Sequence, residues 1–186
     1  TGHLISFELS DKEELNRDKL KWIVENFLTI GFNSNTYDMP LIWAAISDAS
    51  NDKLFQISSE IIHNNARISY LEKEYGFKVG HSNHIDLIEV APAGAQMLSL
   101  KHYGARMHVP KLQELPIDPG AMIDFNDRAK LYAYNDNDLI VTGTLYSKLE
   151  KAIQLRETLG TQYGIDLRSK SDAQIAEKII SKEIET

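Results

Sequence analysis

Two short constellations hold the residues whose types and spacing could do chemistry. The first is Gly31-Phe32-Asn33-Ser34-Asn35-Thr36-Tyr37-Asp38-Met39-Pro40. It reads as a strand that delivers a polar loop, and the loop delivers Asp38 to the start of a helix. A carboxylate at the carboxyl end of a strand lies where α/β folds build their sites; Asp38 could equally serve as a plain helix cap. The second constellation is Tyr134-Asn135-Asp136-Asn137-Asp138. On a helix, Tyr134 and Asp138 stand at i and i+4 and share a face. Asp136 lies about 200° round from Asp138 at about 3.6 residues per turn, so both aspartates cannot face one site. The alternative is a solvated acidic face with Tyr134 packed beside it.

The elements that must position these residues follow from periodicity and stop signals. Residues 28–32 (LTIGF) read as a strand ending in the polar loop 33–36, and Pro40 suits the first turn of the next helix. Upstream, residues 4–9 (LISFEL) read as a buried strand running into a capping box at Ser10 and Glu13. Leu20, Ile23, Val24 and Phe27 then form one apolar helical face. Downstream, helices are predicted over 52–64 and 66–75, with Gly76 as the stop. A strand is predicted over 84–90, broken by Pro92 and Gly94, and a helix over 96–107. Residues 109–120 form a loop holding three prolines. A long helix, straight or bent, is predicted over 124–159. The last helix, 171–184, opens with a capping box at Ser171 and Gln174 and buries Ala173, Ile175, Ala176, Ile179 and Ile180. Strands alternating with helices give an α/β class, although three strands are few for this length.

Composition narrows the functions. The 186 residues are 42% hydrophobic and 25% charged, with 10 Gly and 5 Pro, as in a globular protein with a sizeable core. Trp22 and Trp43 are expected in that core. There is no cysteine, which excludes disulfides and a thiolate zinc site. No apolar run approaches the length of a membrane span, so no membrane partner is expected. The net charge of −7 argues against an independent high-affinity DNA-binding domain, because phosphate neutralisation carries non-specific affinity. It does not argue against an enzyme that holds metal ions with carboxylates, particularly if another domain grips the DNA. His81, His84 and Asp86 are a weaker metal candidate without a fourth ligand nearby. Lys101 and Arg106, on the 96–107 helix, could touch phosphates or be solvated helix charges.

In order and context, the two constellations resemble the second and third exonuclease motifs of family B and related DNA polymerases. Asn33 to Pro40 follows the pattern N-x3-(Phe/Tyr)-Asp-x-Pro, and Tyr134 to Asp138 follows Tyr-x3-Asp. His84-Ile85-Asp86-Leu87 and Ser99-Leu100-Lys101 resemble connecting segments of the same family, so the likeness covers roughly residues 4–159. The histidine kind of third motif would need His at position 133, which is Ala133, so the chain resembles the tyrosine kind. The resemblance implies a ribonuclease-H-like α/β exonuclease fold, a central mixed sheet flanked by helices. It implies a 3′–5′ proofreading exonuclease domain using two Mg²⁺ or Mn²⁺ ions. Asp138 would ligate one ion and Asp38 the other, directly or through water, their carboxylates within roughly 8 Å of each other. Tyr134 would orient the attacking water, and Asn33 and Lys101 would hold the substrate. The implied partners are the 3′ end of single-stranded DNA and a polymerase region of the same polypeptide, in a bacterial or phage-infected cytoplasm.

One departure stands out. The family's first motif is Asp-x-Glu on the first strand of the sheet. Here that pattern occurs as Asp11-Lys12-Glu13, in the setting of a solvated helix start. The expectation is therefore an exonuclease domain over 1–160 without its first strands and two of its four metal carboxylates. Residues 163–177 (YGIDLRSKSDAQIAE) resemble a connector toward a polymerase region, making 161–186 a connector and helix. The alternative is a catalytically silent ribonuclease-H-like module, used as a scaffold or single-strand-binding surface. An upstream Asp-x-Glu separates the two.

Overall fold

The computed structural model describes residues 3–92 and 98–185. The chain forms two compact units, Thr1–Ile85 and Asp86–Thr186. Its class is mixed α/β, 56% helical with a small two-stranded parallel sheet.

In the first unit, α1 (Arg17–Asn26) is followed by β1 (Thr29–Gly31), α2 (Asp38–Ile46), α3 (Asn51–Asn64) and α4 (Ile68–Tyr75). β2 (His84–Asp86) then pairs with β1, with Thr29 N–H donating to Asn83 O at 2.9 Å. α2 packs on α1, α3 and α4. It is the most apolar of these helices and supplies Met39, Trp43 and Ala44 to a core completed by Val24, Ile57, Leu71 and Phe77. Local signals set the ends. Ser50 Oγ accepts from Lys53 N–H to cap α3, while Asn65 and Gly76 close α3 and α4 with left-handed φ of 48° and 71°.

Several expectations need correction here. Residues 4–9 form no strand, and Leu4 and Ile5 are exposed. A strand exists only where its N–H and C=O groups pair with a neighbour, and among the described residues β1 and β2 pair with each other and not with residues 4–9, whose composition alone cannot supply that pairing. Ser10 does not start α1. Its hydroxyl accepts from Lys12 N–H and its own N–H donates to Glu13 O, closing an exposed turn that contains Asp11 and Glu13. Asn16 caps α1 instead, accepting from Lys19 N–H at 3.0 Å. Trp22 is on the surface, 55% exposed, stacked edge-on against the exposed Phe27 at 5.1 Å. It stands two residues from Val24, the buried residue of α1, and therefore about 200° round the helix.

The predicted strand over 84–90 stops at Asp86. The Asp86 carboxylate accepts Ile88 N–H at 3.1 Å, and Val90 and Ala91 N–H both return to Leu87 O, so side chain and backbone bend the chain into a turn.

The second unit holds α5 (Leu100–Arg106), α6 (Arg128–Tyr163) and α7 (Asp172–Glu185). The expected start of α5 at Gln96, like Gly94, lies outside the described residues. Asp124 caps a 3-10 turn that leads into α6, a continuous helix of 36 residues. Val141, Leu145, Leu149, Ile153 and Arg156 form its buried stripe. α5 packs on α6 at Gly104, where a Cβ would stand 3.2 Å from Val141 Cγ1. Gly164 ends α6 with a left-handed φ of 66°.

Arg156, 4% exposed, holds the chain beyond α6. It donates to Ala152 O, to Lys170 O at 2.9 Å and to Asp172 Oδ1 at 2.6 Å. Ser171 and Gln174 form the expected capping box of α7. That helix buries Ile175 but leaves Ala173, Ala176 and Ile180 exposed. No helix among the described residues is long and apolar enough to cross a membrane.

Two glycines of α6 should respond with opposite signs to alanine. A Cβ at the exposed Gly143 meets nothing within 4 Å, so Gly143→Ala should stabilise by up to ~1 kcal/mol through helix propensity. A Cβ at Gly160 would stand 2.6 Å from Ile165 O, so Gly160→Ala should destabilise by about 1–3 kcal/mol. Urea unfolding of the two variants checks this; equal signs would contradict the packing of the α6 end.

Candidate functional site

The Asn33–Asp38 loop is built from short-range bonds. Asn33 takes a left-handed φ of 58°, which asparagine tolerates better than most residues. Thr36 Oγ1 donates to Asn33 O at 3.2 Å and to Asn33 Oδ1 at 2.8 Å, folding the loop on itself. Ser34 is buried, and its carbonyl accepts Met39 N–H at 2.8 Å, which satisfies one of the orphan donors at the start of α2. Tyr37 OH bonds Ser58 Oγ on α3 at 2.9 Å. Asp38 is the exposed first residue of α2. The cap position falls on Tyr37, whose side chain makes no cap bond. The Asp38 carboxylate is favourably placed near the positive end of the helix dipole.

The second constellation lies on the N-terminal part of α6. Tyr134 OH donates to the Asp138 carboxylate across one turn. Burial raises the Asp138 carboxyl above its ordinary 3.8, while the Tyr134 hydrogen bond and the positive charge of Lys101 pull it back down. Burial first, then the negative charge of Asp138, raises the Tyr134 hydroxyl, with a smaller push from Glu114. Tyr134 therefore stays a protonated donor at neutral pH. Lys101, on α5, is ion-paired with Glu114 from the loop between α5 and α6. Four side chains from α5, that loop and α6 thus influence one another: Lys101, Glu114, Tyr134 and Asp138.

Of the residues singled out by sequence, Lys101, Tyr134 and Asp138 come together in the second unit, and Asn33 and Asp38 in the first. The His81, His84 and Asp86 candidate is not assembled. Among the described residues no three His, Asp or Glu side chains converge as a metal group. His84 instead bonds Thr29 Oγ1 and Ser34 Oγ through its two ring nitrogens. The donor chemistry still suits a hard divalent cation at Asp138. It is an oxygen ligand whose charge is disfavoured by burial, and an adjacent cation would relieve that penalty.

No family profile, curated protein or solved structure matches this chain.

Three contributors escape sequence reading. Glu114 comes from a proline-rich loop without periodicity, so nothing marks it as the partner of Lys101. The hydroxyls of Thr29 and Ser34 meet His84 across 55 and 50 positions, and such contacts leave no spacing signature.

Because the Asp138 carboxyl is raised in the folded chain, its contribution to stability is fully present below 3.8 and is lost as pH rises through its folded value. Asp138→Asn should therefore melt above wild type at neutral pH, with the gap closing in acid. Tyr134→Phe removes a bond that lowers the carboxyl, so Asp138 should titrate higher in that variant. Carboxyl-carbon NMR titration and thermal melts read both effects. An Asp138 that titrated lower in Tyr134→Phe would refute the assigned hydrogen bond.

Proposed function

We propose that this chain is the 3′–5′ exonuclease domain of a phage-type DNA polymerase, built on a ribonuclease-H-like fold. The observation that carries the reading is the Tyr134–Asp138 pair on α6, a hydroxyl donating to a half-buried carboxylate one turn away. Tyr-x3-Asp describes two residues that a helix must bring together. Their order after the Asn33–Asp38 loop, itself the end of a strand and the start of a helix, agrees with the motif order of the family.

In this reading Asp138 is the direct ligand of one Mg²⁺ or Mn²⁺ ion, and Asp38 serves the second directly or through water. Such ions, when bound, lower the pKa of an attacking water and stabilise the leaving 3′ oxygen. Tyr134 holds Asp138 in place and presents a hydroxyl that can orient that water. The Lys101 ammonium supplies positive charge for a phosphate, and Asn33 supplies amide groups for the terminal nucleotide. The partners are the 3′ end of single-stranded DNA and a polymerase region of the same polypeptide, in the cytoplasm. Asp11 and Glu13, in an exposed turn, are not assigned the first-motif role.

The test joins residues 1–186 to the Asp-x-Glu strand that the resemblance calls for and measures Mg²⁺-dependent digestion of single-stranded DNA. Asp138→Ala should abolish digestion. Tyr134→Phe should slow it by about 10²-fold, the scale of one positioned proton-handling group. Asp136→Ala should do little, because it stands about 200° round the helix from Asp138. A lethal Asp136→Ala with a tolerated Asp138→Ala would sink the assignment. Residues 1–186 alone should bind Mn²⁺ weakly and digest DNA hardly at all. Robust activity there would return the catalytic role to Asp11 and Glu13.

A further inference from the structure

His84, half-buried at the start of β2, engages two hydroxyls. Nδ1 lies 2.8 Å from Thr29 Oγ1, and Nε2 lies 2.7 Å from Ser34 Oγ. A neutral imidazole has one donor and one acceptor, and a hydroxyl can play either part, so both bonds form in either tautomer.

The two partners have different consequences. Thr29 opens β1, and its amide already donates to Asn83 O, so the Nδ1 bond reinforces a strand pairing that the backbone makes anyway. Ser34 lies in the loop, is 3% exposed, and through its carbonyl receives Met39 N–H at the start of α2. Its neighbours show how tightly it is placed. A Cβ at Gly31 would collide with the Ser34 side chain and would also stand 3.4 Å from His84 Cε1. Asn33, next to Ser34, is in the left-handed region. A buried hydroxyl must keep its partner or lose more than one hydrogen bond is worth. The His84 ring therefore holds Ser34 where Gly31 permits it, against a backbone path with its own local cost at Asn33.

We infer that His84 is the positioning residue of the Asp38 loop: through Nε2 and Ser34 Oγ it fixes the path of residues 31–38 and the start of α2. The fixing of the loop stands on this geometry. Its consequence for Asp38 as a metal ligand rests on the exonuclease reading above.

A glutamine amide lies near the Nε2 position of histidine, and an asparagine amide lies near Nδ1. His84→Gln therefore keeps the Ser34 bond, and His84→Asn keeps the Thr29 bond. Amide hydrogen exchange at Met39, measured by NMR on residues 1–186, reads the loop. Exchange should stay within about twofold of wild type in His84→Gln and rise about tenfold in His84→Asn, with the core amides of Ile57 and Leu71 unchanged. The opposite order overturns the inference, because it would make the ring a strand-pairing device. Indistinguishable rates in both variants overturn it as well. Should a His84 variant fail to fold, Ser34→Ala leaves the Thr29 bond intact and should speed Met39 exchange by the same factor; no change there overturns the inference.

Paramagnetic broadening of Asp38 by Mn²⁺ supplies the second readout. It should weaken in His84→Asn and Ser34→Ala and recover in His84→Gln. If wild type shows no broadening while Met39 exchange follows the expected order, the positioning role stands and the exonuclease reading fails.

Discussion

A carboxylate drawn out of water loses the hydration that favours its charge, and Asp138 is in that position. Two groups offset the loss: the Tyr134 hydroxyl one turn back on the same helix, and the Lys101 ammonium on α5. Each requires a specific piece of architecture. The tyrosine is held by helical spacing alone, so an unbroken α6 is sufficient for it. The lysine depends on packing. α5 lies against α6 with glycine at position 104, where even a methyl group would press on Leu112, Val109 and Val141. The loop between the two helices then closes on Lys101 through Glu114. Its side chain is 90% exposed, so this ion pair contributes little to stability and leaves the lysine's charge available to another anion.

The first unit solves a different problem. There the aspartate is exposed, and what needs control is the backbone that carries it. Short loops with left-handed residues and glycine keep one conformation only when side chains over-determine it. Thr36 bonding back to Asn33, Tyr37 reaching Ser58 and Ser34 buried against His84 supply three such restraints within eight residues of chain. The strand pair contributes by placing His84 beside the loop. A two-stranded sheet is small for an α/β unit, but it brings position 84 to position 34, which no local interaction could do.

What the sequence disclosed and what it hid divide along the range of the interactions. Capped, periodic helices were readable: α3 was expected within one residue of its start, α4 stops at Gly76 and α7 opens on the Ser171–Gln174 box as those signals indicated, and the i, i+4 arithmetic identified the Tyr134–Asp138 face. Features that depend on a distant partner were not. Residues 4–9 have a strand's composition, yet composition says nothing about whether another strand will pair with them. The end of β2 depends on a single Asp86 carboxylate turning back to Ile88. Trp22 looks like core by type and becomes surface by phase. Glu114, Thr29 and Ser34 enter their clusters through contacts that a linear pattern does not encode.

The position of the site along α6 bears on why an unfavourable carboxylate persists. Tyr134 and Asp138 occupy the N-terminal third of a helix that is about 54 Å long at about 1.5 Å per residue. The stripe that anchors the helix begins at Val141 and runs through Leu145, Leu149 and Ile153 to Arg156, beyond the site. At the far end Arg156 secures the return of the chain with donors to two carbonyls and one carboxylate. Beyond Val141, which also packs on α5 at Gly104, the helix is therefore stabilised by residues that play no part in the Asp138 cluster. Substitutions at Leu149 or Ile153 should weaken the fold without changing the chemistry at Asp138, while substitutions at Asp138 change its electrostatics without removing the anchor. That separation allows a local electrostatic penalty to be carried on a stable element, the condition under which a strained functional group can be retained.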